Sequence, residues 1–363
     1  MTYRAIGLMS GSSLDGLDLV FTELTHTAGA WSFSIGASAC YPYDDEWTER
    51  LAGSTTLSAR DYLLLHADYG HYLGAAVHRF IEENGLHFKV GLVASHGHTT
   101  YHLPGRRMTA QLGDGAAIAA VTGLPVISDL RALDVAFGGQ GAPIVPIAEK
   151  LLFPGYSYFL NLGGIANLSV NRPDTYTAFD VCPANRVLNL IAGEKGLPYD
   201  DDGRMAASGT PDGDLLRQLN ALPYYAQPFP KSLANDFGTD TVYPLLRSTG
   251  RAAEDAASTY VAHIAAQVAA AVDMTGTAAP GSQMLITGGG ALNGALIRAI
   301  EAALEPHGIN VTIPGREIIE YKEALAMALI GVLRWRQEST VLSSVTGAQR
   351  DSIGGAVWIG QEA

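Results

Sequence analysis

Two stretches of this sequence share one plan: an apolar run, a short glycine-rich turn, and a second apolar run. The first is IGLMSGSSLDGLDLVFTEL at residues 6–24 and the second YSYFLNLGGIANLSVN at residues 156–171. Each reads as a β-hairpin, and each is followed by alternating helical and strand-like segments, which argues α/β architecture built twice over. The residues themselves barely repeat, so the duplication is one of plan. A chain of 363 residues is long enough for two domains, and the Gly/Pro-rich connector AFGGQGAPIVP at residues 136–146 is a plausible boundary.

A glycine turn between strands has two readings. It is either an ordinary hairpin tip or a cradle of backbone N–H groups for an anion. The opening loop Gly11-Ser12-Ser13-Leu14-Asp15-Gly16 allows both. It is not a Walker A loop, because no Gly-Lys-Ser/Thr follows. Asp15 and Asp18 would suit a magnesium ion, directly or through water. The formal net charge of −13 makes nucleic acid or an anionic membrane a poor partner. A small anion can still bind where local amides, a metal or a few cations overcome that field.

Other segments have a chemical and a blander reading. Gly288, Gly289 and Gly290 follow a strand and precede a helix, as in a dinucleotide site, but the G-x-G-x-x-x-G spacing through Gly294 is wrong for that fingerprint. Asp180, in FDVCPAN, is placed for a general base or a helix N-cap. Cys182 beside it lacks a basic neighbour and reads as a packed residue. His96, His98 and His102 lack a carboxylate or thiolate to complete a metal site, so hydrogen bonding is the better reading. Asp200, Asp201 and Asp202 resemble a calcium loop without its closing Glu and read as a solvated loop or substrate rim. The two cysteines, Cys40 and Cys182, form no disulfide framework, and MTYRAIGLM has no basic segment before a long apolar core, so no signal peptide is expected and a reducing cytoplasm fits. Residues 256–272 are Ala-rich but carry Ser258, Thr259, His263 and Gln267, a buried helix rather than a membrane span.

Taken in order, GLMSGSSLDGLD, SHGHT, QLGDGAAIAAVTGLPVISDLRALDVAFGGQGAPIVP, LNLGGIANLSV, FDVCPAN, YDDDGRMAASG, PYYAQPFPKS, ITGGGALN, EALAMALIG and SVTGA resemble the anhydro-N-acetylmuramic acid kinase family almost end to end. The resemblance implies an α/β fold of two ribonuclease-H-like (actin-like ATPase) domains with an interdomain active-site cleft. One domain would comprise residues 1–128 plus about 340–363, the other residues 129–339. It implies ATP with Mg2+, transfer of the γ-phosphate to O6 of 1,6-anhydro-N-acetylmuramic acid, and hydrolytic opening of the anhydro ring in cell-wall recycling. Asp180 would be the base that activates the water. The nucleotide would meet Gly11, Ser12, Ser13, Leu14, Asp15, Gly16, Leu17 and Asp18, then Gly163 and Gly164, then Gly288, Gly289, Gly290 and Asn293. Asp15 would hold magnesium, and His96, Asp114, Arg131, Gln140 and Asn185 would meet the sugar. A cytoplasmic enzyme is the expected setting, with a homodimer as one option.

The chain departs from the family's usual residues on the acceptor side. Asp180-Val181-Cys182-Pro183-Ala184-Asn185 stands for DTGPGN, Arg131-Ala132-Leu133-Asp134 for RRRD, and His98 for the Gln of SHGQT. Lys231-Ser232-Leu233-Ala234-Asn235-Asp236 replaces a KSTGRE-like segment. These changes are expected where sugar or phosphate contacts lie. A diverged member acting on another sugar, or a non-catalytic ATP- and sugar-binding protein, is the alternative reading.

Overall fold

The computed structural model describes residues 1–363 except 12, 173, 174, 230, 235, 249, 277, 280, 362 and 363. Ser12 and Asn235, both singled out in the sequence, therefore lie outside the described residues. The chain divides into two compact units, Met1–Pro154 with Tyr321–Ala363, and Gly155–Glu320.

In the first unit β1 (Thr2–Ser10), β2 (Gly16–Thr27) and β3 (Ala30–Pro42) form an antiparallel meander. The chain then crosses over through the helix Ala59–Glu83 to β4 (Leu92–Leu103), which pairs parallel to β1. A hairpin adds β5 (Met108–Leu112) to β4, and β6 (Val126–Ser128) joins β4 in parallel. The second unit repeats the path. Here β7 (Tyr158–Leu162), β8 (Ile165–Asn171) and β9 (Tyr176–Pro183) are the meander, and β10 (Gln283–Thr287) and β11 (Asn310–Thr312) extend it in parallel from β7. The chain returns to the first sheet as β12 (Ala356–Trp358), antiparallel to β6. The strand orders β3-β2-β1-β4-β6 and β9-β8-β7-β10-β11 are the same ribonuclease-H-like order, generated independently in each unit.

The amphipathic pattern decides which faces are buried. The helix Ala59–Glu83 buries Leu65, Tyr69, Leu73, Val77 and Phe80 in one core with Ile6, Leu8, Leu19 and Val93 of the sheet. The helix Arg316–Trp335, within which the boundary between the units falls, lies directly on β1. A Cβ on Gly7 would stand 1.9 Å from the carbonyl oxygen of Ala324, so only glycine permits this contact. In the second unit the helix Ala253–Met274 buries Tyr260, Ile264, Val268 and Val272 against the sheet. The Ala-rich stretch read as a buried helix belongs to it, and among the described residues no helix is long and apolar enough to cross a membrane.

The expected breaks at residue 128 and near residue 340 differ from those of the compact units, at Pro154 and Glu320. Residues 129–146, with their Gly/Pro-rich run, look like a connector by composition, yet they lie within the first unit, which runs on to Pro154. Asp134 is buried and accepts hydrogen bonds from Thr346 Oγ1 at 2.7 Å and Gly141 N at 2.8 Å. Glu149 forms a buried ion pair with Lys322 Nζ at 2.7 Å. These partners are remote in sequence, which is why composition misreads the segment.

Candidate active site

In the first unit, the opening turn occupies Gly11 to Asp15, because Gly16, Leu17 and Asp18 already belong to β2. Leu17 is buried in the core, so its side chain is not turned to a ligand. A Cβ on Gly16 would lie 2.8 Å from Cys40 Sγ and Tyr41 O, so that glycine serves the β2–β3 contact. Gly11 differs: nothing lies closer than 3.4 Å to its Cβ position. Leu14 has φ 59°, a left-handed conformation that costs a side-chain-bearing residue roughly 1–2 kcal/mol. The Ser13 hydroxyl, expected to donate to a ligand, donates to Asp15 Oδ1 at 2.6 Å instead.

Three residues expected at the sugar do come together. Arg131 Nε donates to His96 Nε2 at 2.8 Å, and Arg131 Nη1 to Gly141 O at 2.5 Å, beside the exposed Gln140. Because the guanidinium can only donate, His96 Nε2 must accept. The imidazole proton therefore sits on Nδ1, which donates to Gly97 O at 2.8 Å. Burial, then the Arg131 charge, pushes the His96 pKa down to about 3, so this histidine is neutral at physiological pH. Burial lowers Arg131 to about 10, opposed by Glu323 and Asp134, so it keeps its charge. Glu323, beside this guanidinium, was not singled out in the sequence, since a carboxylate on an amphipathic helix carries no local signal. His98 is buried and shares a hydrogen bond with Ser10 Oγ at 3.1 Å, while Tyr43 donates to the same oxygen at 2.8 Å. Asp114 is not part of this group: its Oδ1 caps the helix Gly115–Thr122 by accepting from Ala116 N at 2.8 Å.

In the second unit, Asp180 lies within β9 and is not a helix cap; the N-cap of the helix Asn185–Gly193 is Ala184. The β8–β9 register pairs Asn167 with Asp180 and Ala166 with Cys182, leaving Val181 as an extra bulged residue. Bulges re-aim side chains and recur beside active sites. The carboxylate accepts from Asn167 Nδ2 at one oxygen and from Leu233 N, at 2.8 Å, at the other. Burial raises its pKa, and those two donors oppose the rise. Tyr224 hydroxyl donates to Asp180 O at 2.7 Å, fixing the strand itself.

This geometry revises what the unusual residues mean. Val181 and Cys182 are buried in the hydrophobic core, and burial pushes the Cys182 thiol up, away from nucleophilic chemistry. Leu233 serves Asp180 through its backbone N–H, a contact that any non-proline residue supplies. His98 is engaged with Ser10. Changes expected at the acceptor are, at these positions, changes of packing and support.

The remaining glycines divide by cause. Gly288, at φ 82°, would place a Cβ 2.7 Å from Asn161 Oδ1 and 2.8 Å from the Leu162 carbonyl. Gly290 would place one 2.7 Å from Leu162 Cβ. Both are required by β7. Gly163, Gly164 and Gly289 would meet nothing closer than 3.5 Å and have no left-handed φ, so the fold does not require them. Asn185, expected at the sugar, donates from Nδ2 to Leu162 O at 2.9 Å and stands among these glycine turns. Asn293 caps the helix Gly294–Leu304, accepting from Leu296 N at 3.0 Å. The acidic loop is solvated in part: Asp201 and Asp202 are exposed, but Asp200 is buried and accepts from Met205 and Ala206 N, and Asp202 Oδ1 accepts from Gly294 N at 3.1 Å. That loop therefore holds the segment after the triple glycine.

The sequence profile described as "Anhydro-N-acetylmuramic acid kinase" matches residues 3–360. The chain belongs to the anhydro-N-acetylmuramic acid kinase family. The kinase of that name from Salinibacter ruber is 36% identical over 368 residues, covering 94% of this chain and 93% of its own. That of Streptomyces coelicolor is 35% identical, covering 99% and 94%. That of Paramagnetospirillum magneticum is 34% identical, covering 97% and 98%. The resemblance read from the ordered motifs is thus borne out across the whole length of the kinase family's chain.

Proposed function

We propose that this chain is an ATP-dependent kinase that converts 1,6-anhydro-N-acetylmuramic acid to N-acetylmuramic acid 6-phosphate, opening the anhydro ring with water, in cell-wall recycling. The observation that carries the reading is Asp180: a half-buried carboxylate, held at both oxygens and raised in pKa, as suits the base that the family resemblance implies. Asp180 accepts a proton from water as the water oxygen bonds to C1. The C1–O6 bond breaks, and O6 takes the γ-phosphoryl group with ADP as leaving group. Family membership and the glycines that the fold itself does not require support the nucleotide's part in this reaction. The amides of Gly163 and Gly164 receive phosphate oxygens, and Arg131 and Gln140 orient the sugar.

The residues fit magnesium: Asp15 offers a hard carboxylate oxygen at an exposed turn, its Oδ1 taking the Ser13 hydroxyl, and its Oδ2 would hold the ion directly or through water. A bound magnesium ion would supply charge neutralisation on the transferring group. The deciding experiment is mass spectrometry of the product formed from ATP, the anhydro sugar and ¹⁸O-labelled water. One labelled oxygen at C1 together with a phosphate on O6 is expected. Product without label, or no sugar-dependent ATP consumption, would overturn the reading.

A further inference from the structure

The helix Asn185–Gly193 is fastened to the second glycine turn by its own backbone. Ala184 N–H donates to Gly164 O at 2.8 Å and Asn185 N–H to Gly163 O at 3.0 Å. Arg186, half-buried, follows with its N–H 3.4 Å from Gly164 O. Its side chain then runs along the turn. A methyl group built on Gly164 would stand 3.7 Å from Arg186 Nε and 3.9 Å from Nη2. Those two nitrogens form the side edge of the guanidinium, the fork that grips two oxygens of a phosphate with parallel N–H donors. The space over Gly164 is therefore bounded by a cationic fork, and the fold gives no reason of its own for leaving it clear.

Charge makes the feature matter. In a chain of net charge −13, an anion needs a cation close by. We propose that Arg186 binds the nucleotide polyphosphate, its side edge gripping the non-bridging oxygens held over Gly164. This rests on the reading of the chain as an ATP-dependent kinase.

The test compares wild type, Arg186→Met and Arg186→Lys in the full chain, with thermal melting to establish folding. Titration with a non-hydrolysable ATP analogue should show affinity reduced ten- to hundredfold in Arg186→Met and less in Arg186→Lys. Adenosine and the anhydro sugar should bind as to wild type, and kcat/KM for ATP should fall with the affinity. Unchanged analogue affinity in a folded Arg186→Met would overturn the proposal while leaving the kinase reading intact. An equal loss for adenosine would also overturn it, by showing a structural role. If wild type binds the analogue but does not phosphorylate the anhydro sugar, the kinase reading fails and the comparison still decides the role of Arg186.

Discussion

Alanine at Gly288 and alanine at Gly164 should fail in opposite ways. At Gly288 the new Cβ overlaps the Leu162 carbonyl at 2.8 Å and Asn161 Oδ1 at 2.7 Å, and φ is 82°. The left-handed conformation costs roughly 1–2 kcal/mol, and crowding against backbone adds about 1–3 kcal/mol. A loss of roughly 2–5 kcal/mol corresponds to a fall in Tm of roughly 5–20 °C for a unit of this size. At Gly164 the new Cβ makes only ordinary contacts of 3.7–3.9 Å with Arg186. Gly→Ala at an unstrained position restricts the unfolded chain and is neutral or stabilising by about 0.4–1 kcal/mol. The same methyl occupies the space over the turn, so a phosphate must withdraw and lose one charge-assisted hydrogen bond, about 1.5–3 kcal/mol, or roughly 10- to 150-fold in affinity. Calorimetric melting and titration with a non-hydrolysable ATP analogue, on both variants, read the two quantities separately. The reasoning is refuted if Gly164→Ala binds the analogue like wild type, or if Gly288→Ala melts like wild type.

Asp180→Asn should abolish turnover while nucleotide and sugar still bind, and in wild type the acid limb of kcat/KM should lie above the ordinary aspartate value of about 3.9. The sign follows from the raised folded-state pKa: the working carboxylate is lost as pH falls through it, whereas any stability gained by protonation is lost as pH rises through it. Hence Asp180→Asn should melt no lower than wild type at neutral pH; an acid limb at or below the ordinary value would sink this account. Lys322→Met removes the cation paired with the buried Glu149 carboxylate and should cost about 3–5 kcal/mol, most of it restored by adding Glu149→Leu, as denaturant unfolding can measure. A double variant no more stable than the single one would contradict that. Asp134→Ala strands the Gly141 N–H and the Thr346 hydroxyl and should cost about 2–4 kcal/mol. Asp134→Asn should cost far less, since the amide oxygen can face Gly141 while the Thr346 hydroxyl turns to accept; similar melting of the two variants would contradict the assignment.

The hairpins were legible because an apolar run, a turn and an apolar run are all local. Strands β1–β2 and β7–β8 pair as the sequence suggests, whereas the common strand order rests on the non-local parallel pairings β1–β4 and β7–β10. What escaped the sequence was set by remote partners. Residues 129–146 look like a connector until Asp134 meets Thr346. Asp180 reads as a base or a cap from sequence, because a bulge at Val181 leaves no trace in composition. Asn185 and Asn293 carry the chemistry of ligand contacts but are engaged by Leu162 and Leu296. Gly288 and Gly163 cannot be told apart as letters; only the atoms around each one separate a glycine that packing demands from one that it does not.

The division of the first unit into Met1–Pro154 and Tyr321–Ala363 bears on how the chain matures as it is made. Strand β1 leaves the ribosome well before its cover, because Ala324, which packs on Gly7, is synthesised 317 residues later (324 − 7). At about 5–20 residues per second that interval is roughly 15–65 seconds. Throughout it, the face of the first sheet that the helix Arg316–Trp335 covers is without its cover. The second unit is continuous in sequence, so all of its strands exist before the first unit can be completed. The unit translated first is thus the last to be finished, and the nascent chain most needs a chaperone over the face centred on Gly7.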